Sequence, residues 1–134
     1  MARRWIIRAV FMVPVLVCLV GCGHDDPSRV FLKNEKSIRN YVARVQADKI
    51  PVGADGGVLL LDVLAAHGAT SVRKKGPCVV ITFAFMPTDA VPELWYSPAG
   101  FEPLPDSLGA LRAQSRSFKL TRIRDDWAYV EWDN

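Results

Sequence analysis

Phe118-Lys119-Leu120-Thr121-Arg122-Ile123-Arg124-Asp125-Asp126-Trp127-Ala128-Tyr129-Val130-Glu131-Trp132 brings two alternating runs together across a short polar break, and its reading decides the fold class. Alternation with period two places every second side chain on one face of a strand, so the stretch predicts a β-hairpin. Two loop lengths compete. A two-residue loop at Asp125-Asp126 sets Phe118 opposite Asp133 and Leu120 opposite Glu131, mixing apolar and charged groups on one face. A three-residue loop at Arg124-Asp125-Asp126 sets Phe118, Leu120 and Arg122 across from Trp132, Val130 and Ala128, and pairs Lys119 with Glu131, Thr121 with Tyr129 and Ile123 with Trp127. The second register brings opposite charges and like shapes together and is preferred. It leaves Ile123 and Trp127 as an apolar pair on a face assigned to solvent or to a partner. Together with Trp95 and Phe101 they form the candidate partner-contact set, since a large exposed aromatic marks contact surfaces. The competing reading is that the loop from Ser97 to Pro105, which carries Phe101, folds over the pair.

Working back from the hairpin, Cys78-Val79-Val80-Ile81-Thr82-Phe83-Ala84-Phe85 reads as a central strand. Val79, Ile81, Phe83 and Phe85 make a bulky side; Cys78, Val80, Thr82 and Ala84 make a smaller one. Lys74-Lys75-Gly76 puts a glycine where a hairpin turn needs positive φ. Pro87 and Pro92 are read as bracketing a turn, with Leu94-Trp95-Tyr96 beginning the next strand. Ile38, Tyr41, Val42 and Val45 fall at i, i+3, i+4 and i+7, the stripe of an amphipathic helix that Asn34 can cap and Pro51 stops. Val58 to Ala66 is read as a short helix ending at His67 and Gly68, with His67 at the negative end of the helix dipole. A further short helix is expected near Leu108 to Ala113. The fold class is therefore α+β: an antiparallel sheet of about five strands covered by two or three short helices.

The N-terminus carries an address. Arg3, Arg4 and Arg8 precede an apolar stretch from Ala9 to Val20, the layout of a secretory signal. A membrane-spanning helix needs about 20 apolar residues, and this run closes too soon at Gly21, Gly23, His24, Asp25 and Asp26. Leu19-Val20-Gly21-Cys22 resembles the lipobox of bacterial lipoproteins. The resemblance covers the first two dozen residues and implies a diacylglyceryl group on the Cys22 thiol, cleavage before Cys22 by signal peptidase II, and acylation of the new amine. One buried lipid chain holds a protein only reversibly, at about 0.8 kcal/mol per CH₂, so two or three chains on one cysteine make a durable anchor. Arg3-Arg4-Trp5 also faintly resembles a twin-arginine export signal, although an ordinary basic n-region explains it better. Gly23 stands where an aspartate tends to retain such proteins in the inner membrane, which favours the outer membrane if the source is Gram-negative. The expected organisation is residues 1–21 as signal peptide, 22–30 as lipidated cysteine and tether, and 31–134 as one domain.

Charge and cysteines narrow the function classes. The signal holds three of the 17 basic residues and no acidic one, leaving 14 against 14 in the mature chain. The only basic run, Arg73-Lys74-Lys75, sits beside Gly76-Pro77 and reads as a solvated turn, so no nucleic-acid partner is expected. Cys18 leaves with the signal and Cys22 is modified, so Cys78 has no intramolecular partner and is read as a small buried hydrophobe. His24 with Asp25 and Asp26 is a poor metal set, three adjacent ligands without a distant fourth. No cofactor or metal is expected. Catalytic candidates are thin: Asp125 and Asp126 in a turn, Asp62 in a helix, and Cys78 with His67 as a dyad only if the fold joins them. The expected function is a non-enzymatic binding or structural module on the envelope membrane, with a protein partner of the envelope. An envelope enzyme and a small-molecule or lipid carrier are the alternatives, the carrier using the small-residue face of Cys78 to Ala84.

Overall fold

The computed structural model describes residues 26–54, 56–84, 90–113 and 117–133. The signal, the lipobox residues Leu19 to Cys22, Phe85 and Pro87 lie outside them. Among the described residues the chain forms α1 (Pro27–Lys33), α2 (Glu35–Gln46), α3 (Asp62–Ala66), β1 (Ala69–Lys75), β2 (Cys78–Phe83), β3 (Ala90–Tyr96), α4 (Asp106–Ala113), β4 (Phe118–Arg124) and β5 (Trp127–Asp133). The five strands make one antiparallel sheet in the order β1-β2-β3-β5-β4. The architecture is thus α+β, with four short helices among the described residues.

Both faces of the sheet are covered, which the hairpin alone did not predict. On the first face α1 and α2 pack Val30, Phe31, Ile38, Tyr41, Val42 and Val45 against Val72, Val79, Ile81, Phe83, Leu94 and Trp127. On the second, α4 and the loop before it bring Leu108 and Phe101 onto Cys78, Val80, Trp95, Ala128, Val130 and Trp132. The route explains the strand order. After β3 the chain crosses the second face through α4, reaches the outer edge as β4, and returns as β5 into the place between β3 and β4.

The helices follow their local chemistry. The stripe expected on α2 is buried at Ile38, Tyr41, Val42 and Val45. Asn34 stands at its N-cap position without a side-chain cap, because its Nδ2 donates to Val30 O at 2.9 Å and closes α1 instead. α2 ends before Asp48, whose φ of 57° lies in the left-handed region that aspartate tolerates. The fold also begins earlier than expected. The segment 22–30 is not all tether, since Asp26 caps α1 by accepting from Ser28 N at 3.0 Å, Pro27 occupies its first turn, and Val30 is buried.

Three further expectations are corrected. Only Asp62–Ala66 of the stretch 58–66 is helical. Val58 N donates to Val72 O of β1 at 3.0 Å and Leu59 N to Pro51 O at 3.0 Å, so the backbone at Val58 and Leu59 is committed to these partners and not to a helix. Pro92 is not a turn bracket but a residue of β3, and Leu94-Trp95-Tyr96 ends that strand. β2–β3 pairing stops at Thr82↔Glu93, one residue short of the proline that has no N–H to offer. The last hairpin turns in two residues, Asp125 and Asp126, yet keeps the preferred register: Phe118↔Trp132, Lys119↔Glu131, Leu120↔Val130, Thr121↔Tyr129 and Arg122↔Ala128 all occur. A bulge at Ile123 reconciles the two, so that Arg124, not Ile123, opposes Trp127. At the β1–β2 turn Gly76 has φ 60°, the positive value expected there.

Candidate functional site

The residues singled out for partner contact belong to the interior. Trp95 and Trp127 are 0% exposed and Phe101 is buried, while Ile123 is half-buried against the first-face core. Phe31 covers Trp127, with ring centroids 4.5 Å apart, and Tyr96 flanks it at 5.4 Å. The loop carrying Phe101 does not fold over the Ile123–Trp127 pair either; it packs on the opposite face, beside Trp95 and Trp132. The four residues are therefore divided between two cores by the sheet. Part of this burial comes from α1, whose Phe31 packs on the Trp127 ring.

A polar constellation missed by the sequence reading lies on the second face. Glu93 Oε1 accepts from the Trp95 indole N–H at 3.1 Å and from the Trp132 indole N–H, and Oε2 accepts from the Thr82 hydroxyl at 2.9 Å. Thr82 is the cross-strand partner of Glu93, and Trp132 lies diagonally across on β5 next to Val130, the partner on that side. All three donors are neutral, and both carboxylate oxygens are taken by the chain itself. This arrangement makes Glu93 a structural acceptor that lets two tryptophans enter a core without stranding their N–H groups. The signal was present in Glu93-Leu94-Trp95, where period two puts the acid on the inward stripe of an aromatic.

A second charged group ties α2 to the last turn. The Arg39 guanidinium forks onto Asp126, Nη1 to Oδ2 at 2.8 Å and Nη2 to Oδ1 at 3.1 Å, while Nε donates to Glu35 Oε2 at 2.9 Å. Arg124 Nη2 reaches Glu35 Oε1 at 3.0 Å. Arg39 also lies over the Phe31 ring, 5.8 Å from its centroid, so the network roofs the Phe31–Trp127 pair. The hydrogen bond from Arg39 holds the Asp126 carboxyl below its usual range, and Arg39 and then Arg124 do the same for Glu35. Groups lowered in the folded state add stability above their unfolded pKa and lose it as pH falls through the folded one. The contribution of this network is therefore full at neutral pH and fades below about pH 4. Arg39→Ala should cost about 1 kcal/mol after discounting for partial exposure, and should flatten the acid limb of a plot of unfolding free energy against pH. An unchanged acid limb would mean that the ion pairs do not persist in solution.

The remaining candidates are dispersed. Cys78 is a buried free thiol at one end of the β1–β2 hairpin, opposite Lys75, and His67 precedes Ala69 at the other end. Six residues of strand, about 20 Å, separate those ends, so no Cys78–His67 dyad forms. Asp62 is exposed in the first turn of α3, and Asp125 is exposed in the hairpin turn. Gly68, with φ 92°, ends α3 just past His67. The small side of β2 is filled, since Cys78 and Val80 are buried with Trp95 and Phe101. Among the described residues no three His, Cys, Asp or Glu side chains are grouped to hold a metal, and no helix is long and apolar enough to cross a membrane. Comparison with known proteins finds no matching family model, no matching curated protein and no matching solved structure.

Proposed function

We propose that the chain is a lipid-anchored protein of the bacterial envelope whose folded part acts as a binding or structural module rather than an enzyme, engaging another envelope protein. The observation that carries this reading is the order of the first 26 residues: a basic start, an apolar run, Leu19-Val20-Gly21-Cys22, and then a helix N-cap at Asp26 with almost no chain between. The module reading draws on the use to which the polar side chains are put. Among the described residues the polar networks beside the cores, built on Glu93 and on Arg39 with Asp126, serve packing or turn closure.

The test is intact mass on the membrane fraction of wild type and Cys22→Ala. Loss of residues 1–21 with an added lipid mass is expected for wild type and should vanish in the variant, which should leave the membrane fraction or remain full length. A full-length, unmodified wild-type chain would overturn the anchor and the envelope address with it. Crosslinking in intact cells then seeks the partner.

A further inference from the structure

Cys22 and Asp26 are four residues apart, and four peptide units span at most about 15 Å in any conformation. A domain of this size has a radius of gyration of about 13 Å, so such a tether is shorter than the body it holds. Given the anchor reading above, on which this inference rests, the domain cannot present an arbitrary face to the lipid. The start of α1 must stay within about 15 Å of the lipid, which brings the helix pair near it.

That pair has turned its apolar stripe inward. Its outward residues include Arg29, Leu32 and Lys33 of α1 and Lys36 and Arg44 of α2, all exposed. Between Pro27 and Ala47 the single acidic residue is Glu35, which is already held by Arg39 and Arg124. Four exposed cations thus lie on the two helices, outnumbering Asp25 and Asp26 in the sequence just before them. Leu32, 48% exposed, stands among them as a large apolar side chain with no core to enter. Basic side chains around an exposed leucine beside a lipid anchor match the chemistry of an anionic bilayer surface, which attracts lysine and arginine and admits a shallow apolar group.

We propose that the outer face of α1 and α2 docks on an anionic phospholipid surface, with Leu32 entering the headgroup layer, so that the anchor and this face together fix the orientation of the domain. The α4 face, on the other side of the sheet, then points away from the membrane, where a partner can reach it.

The test uses the mature lipidated chain in vesicles of equal parts phosphatidylcholine and phosphatidylglycerol, and in phosphatidylcholine alone. An environment-sensitive dye is placed at Leu32→Cys or, as the remote control, at Ala110→Cys on α4; Cys78 is buried and does not compete. The expected result is a blue-shifted emission, quenched by spin-labelled lipid, at position 32 in the phosphatidylglycerol vesicles and not at position 110. Each cation beside such a surface is worth roughly a fivefold shift in the docked population, so Lys33→Glu with Lys36→Glu should reduce it more than about twentyfold. The milder Lys33→Gln with Lys36→Gln guards against a folding defect. A lipidated chain whose position 32 stays as water-exposed as position 110 overturns the docking alone and leaves a solvated face or a protein partner there. A chain whose mass shows no lipid overturns the anchor and the docking together.

Discussion

Replacing Trp127 with alanine should lower the unfolding free energy by about 3–5 kcal/mol, the range for deleting a large buried aromatic. A domain of this size has only about 5–15 kcal/mol in total, so the variant should lie at the edge of folding. Trp127 is fully buried at the start of β5, stacked between Phe31 of α1 and Tyr96 of β3. Its removal opens a cavity where α1, the sheet and the last turn meet. Trp127→Phe should behave differently. The indole N–H meets no acceptor among the described residues, and a buried donor without a partner costs about 1–3 kcal/mol. Phenylalanine removes that donor and keeps a ring against Phe31, so its smaller volume should be largely offset. A urea titration followed by far-ultraviolet circular dichroism measures both. A partner-contact role for Trp127 required Trp127→Ala to leave stability unchanged; a loss under about 1 kcal/mol would restore that role and remove α1 from the core.

Much of the fold was legible because it is written in local patterns. The α2 stripe, the two unequal sides of β2, the glycine turn at Gly76 and five of the hairpin pairs each follow from periodicity or turn chemistry within a short stretch of chain. The bulge at Ile123 was not legible, because a two-residue turn and a three-residue register look like alternatives until an extra residue is allowed in one strand. α1 was lost for a different reason. Seven residues with two core side chains give too little periodicity, and Asp26-Pro27, a cap followed by a first-turn proline, was read as tether composition. Whether β5 lies inside or outside β4 depends on contacts far apart in sequence, and no local pattern encodes it.

The two faces of the sheet also explain why the site residues seemed surface-like. In a hairpin seen alone one face must be core and the other is free by default. Here Trp95 and Trp127 sit on neighbouring strands close to one another, Trp95 opposite Ala128 and Tyr96 opposite Trp127, with their side chains on opposite faces. Such a sheet needs cover on both sides, which this chain supplies from two separate segments: α1 and α2 before the strands, and α4 with its loop between β3 and β4.

Glu93→Ala should cost about 2–5 kcal/mol, because it leaves two indole donors in the second core without their acceptor. Trp95 and Trp132 are both buried and both donate to Glu93 Oε1, and the Thr82 hydroxyl loses Oε2 as well. Glu93 is half-buried, in a core where Phe118 tilts against Trp132 at 4.8 Å and Phe101 and Leu108 are buried. Glu93→Gln separates the acceptor from the charge. Its carbonyl oxygen can take both indole bonds and its amide can donate to the Thr82 oxygen, so the loss should stay within about 1 kcal/mol. Near-ultraviolet circular dichroism and tryptophan fluorescence report on the two rings directly, and a urea titration gives the free energies. Equal losses for alanine and glutamine would mean that negative charge, not an acceptor, is what this face requires. Glu93 would then have to be a group that meets a cation, and the second face, not the helix face, would become the place to look for a ligand.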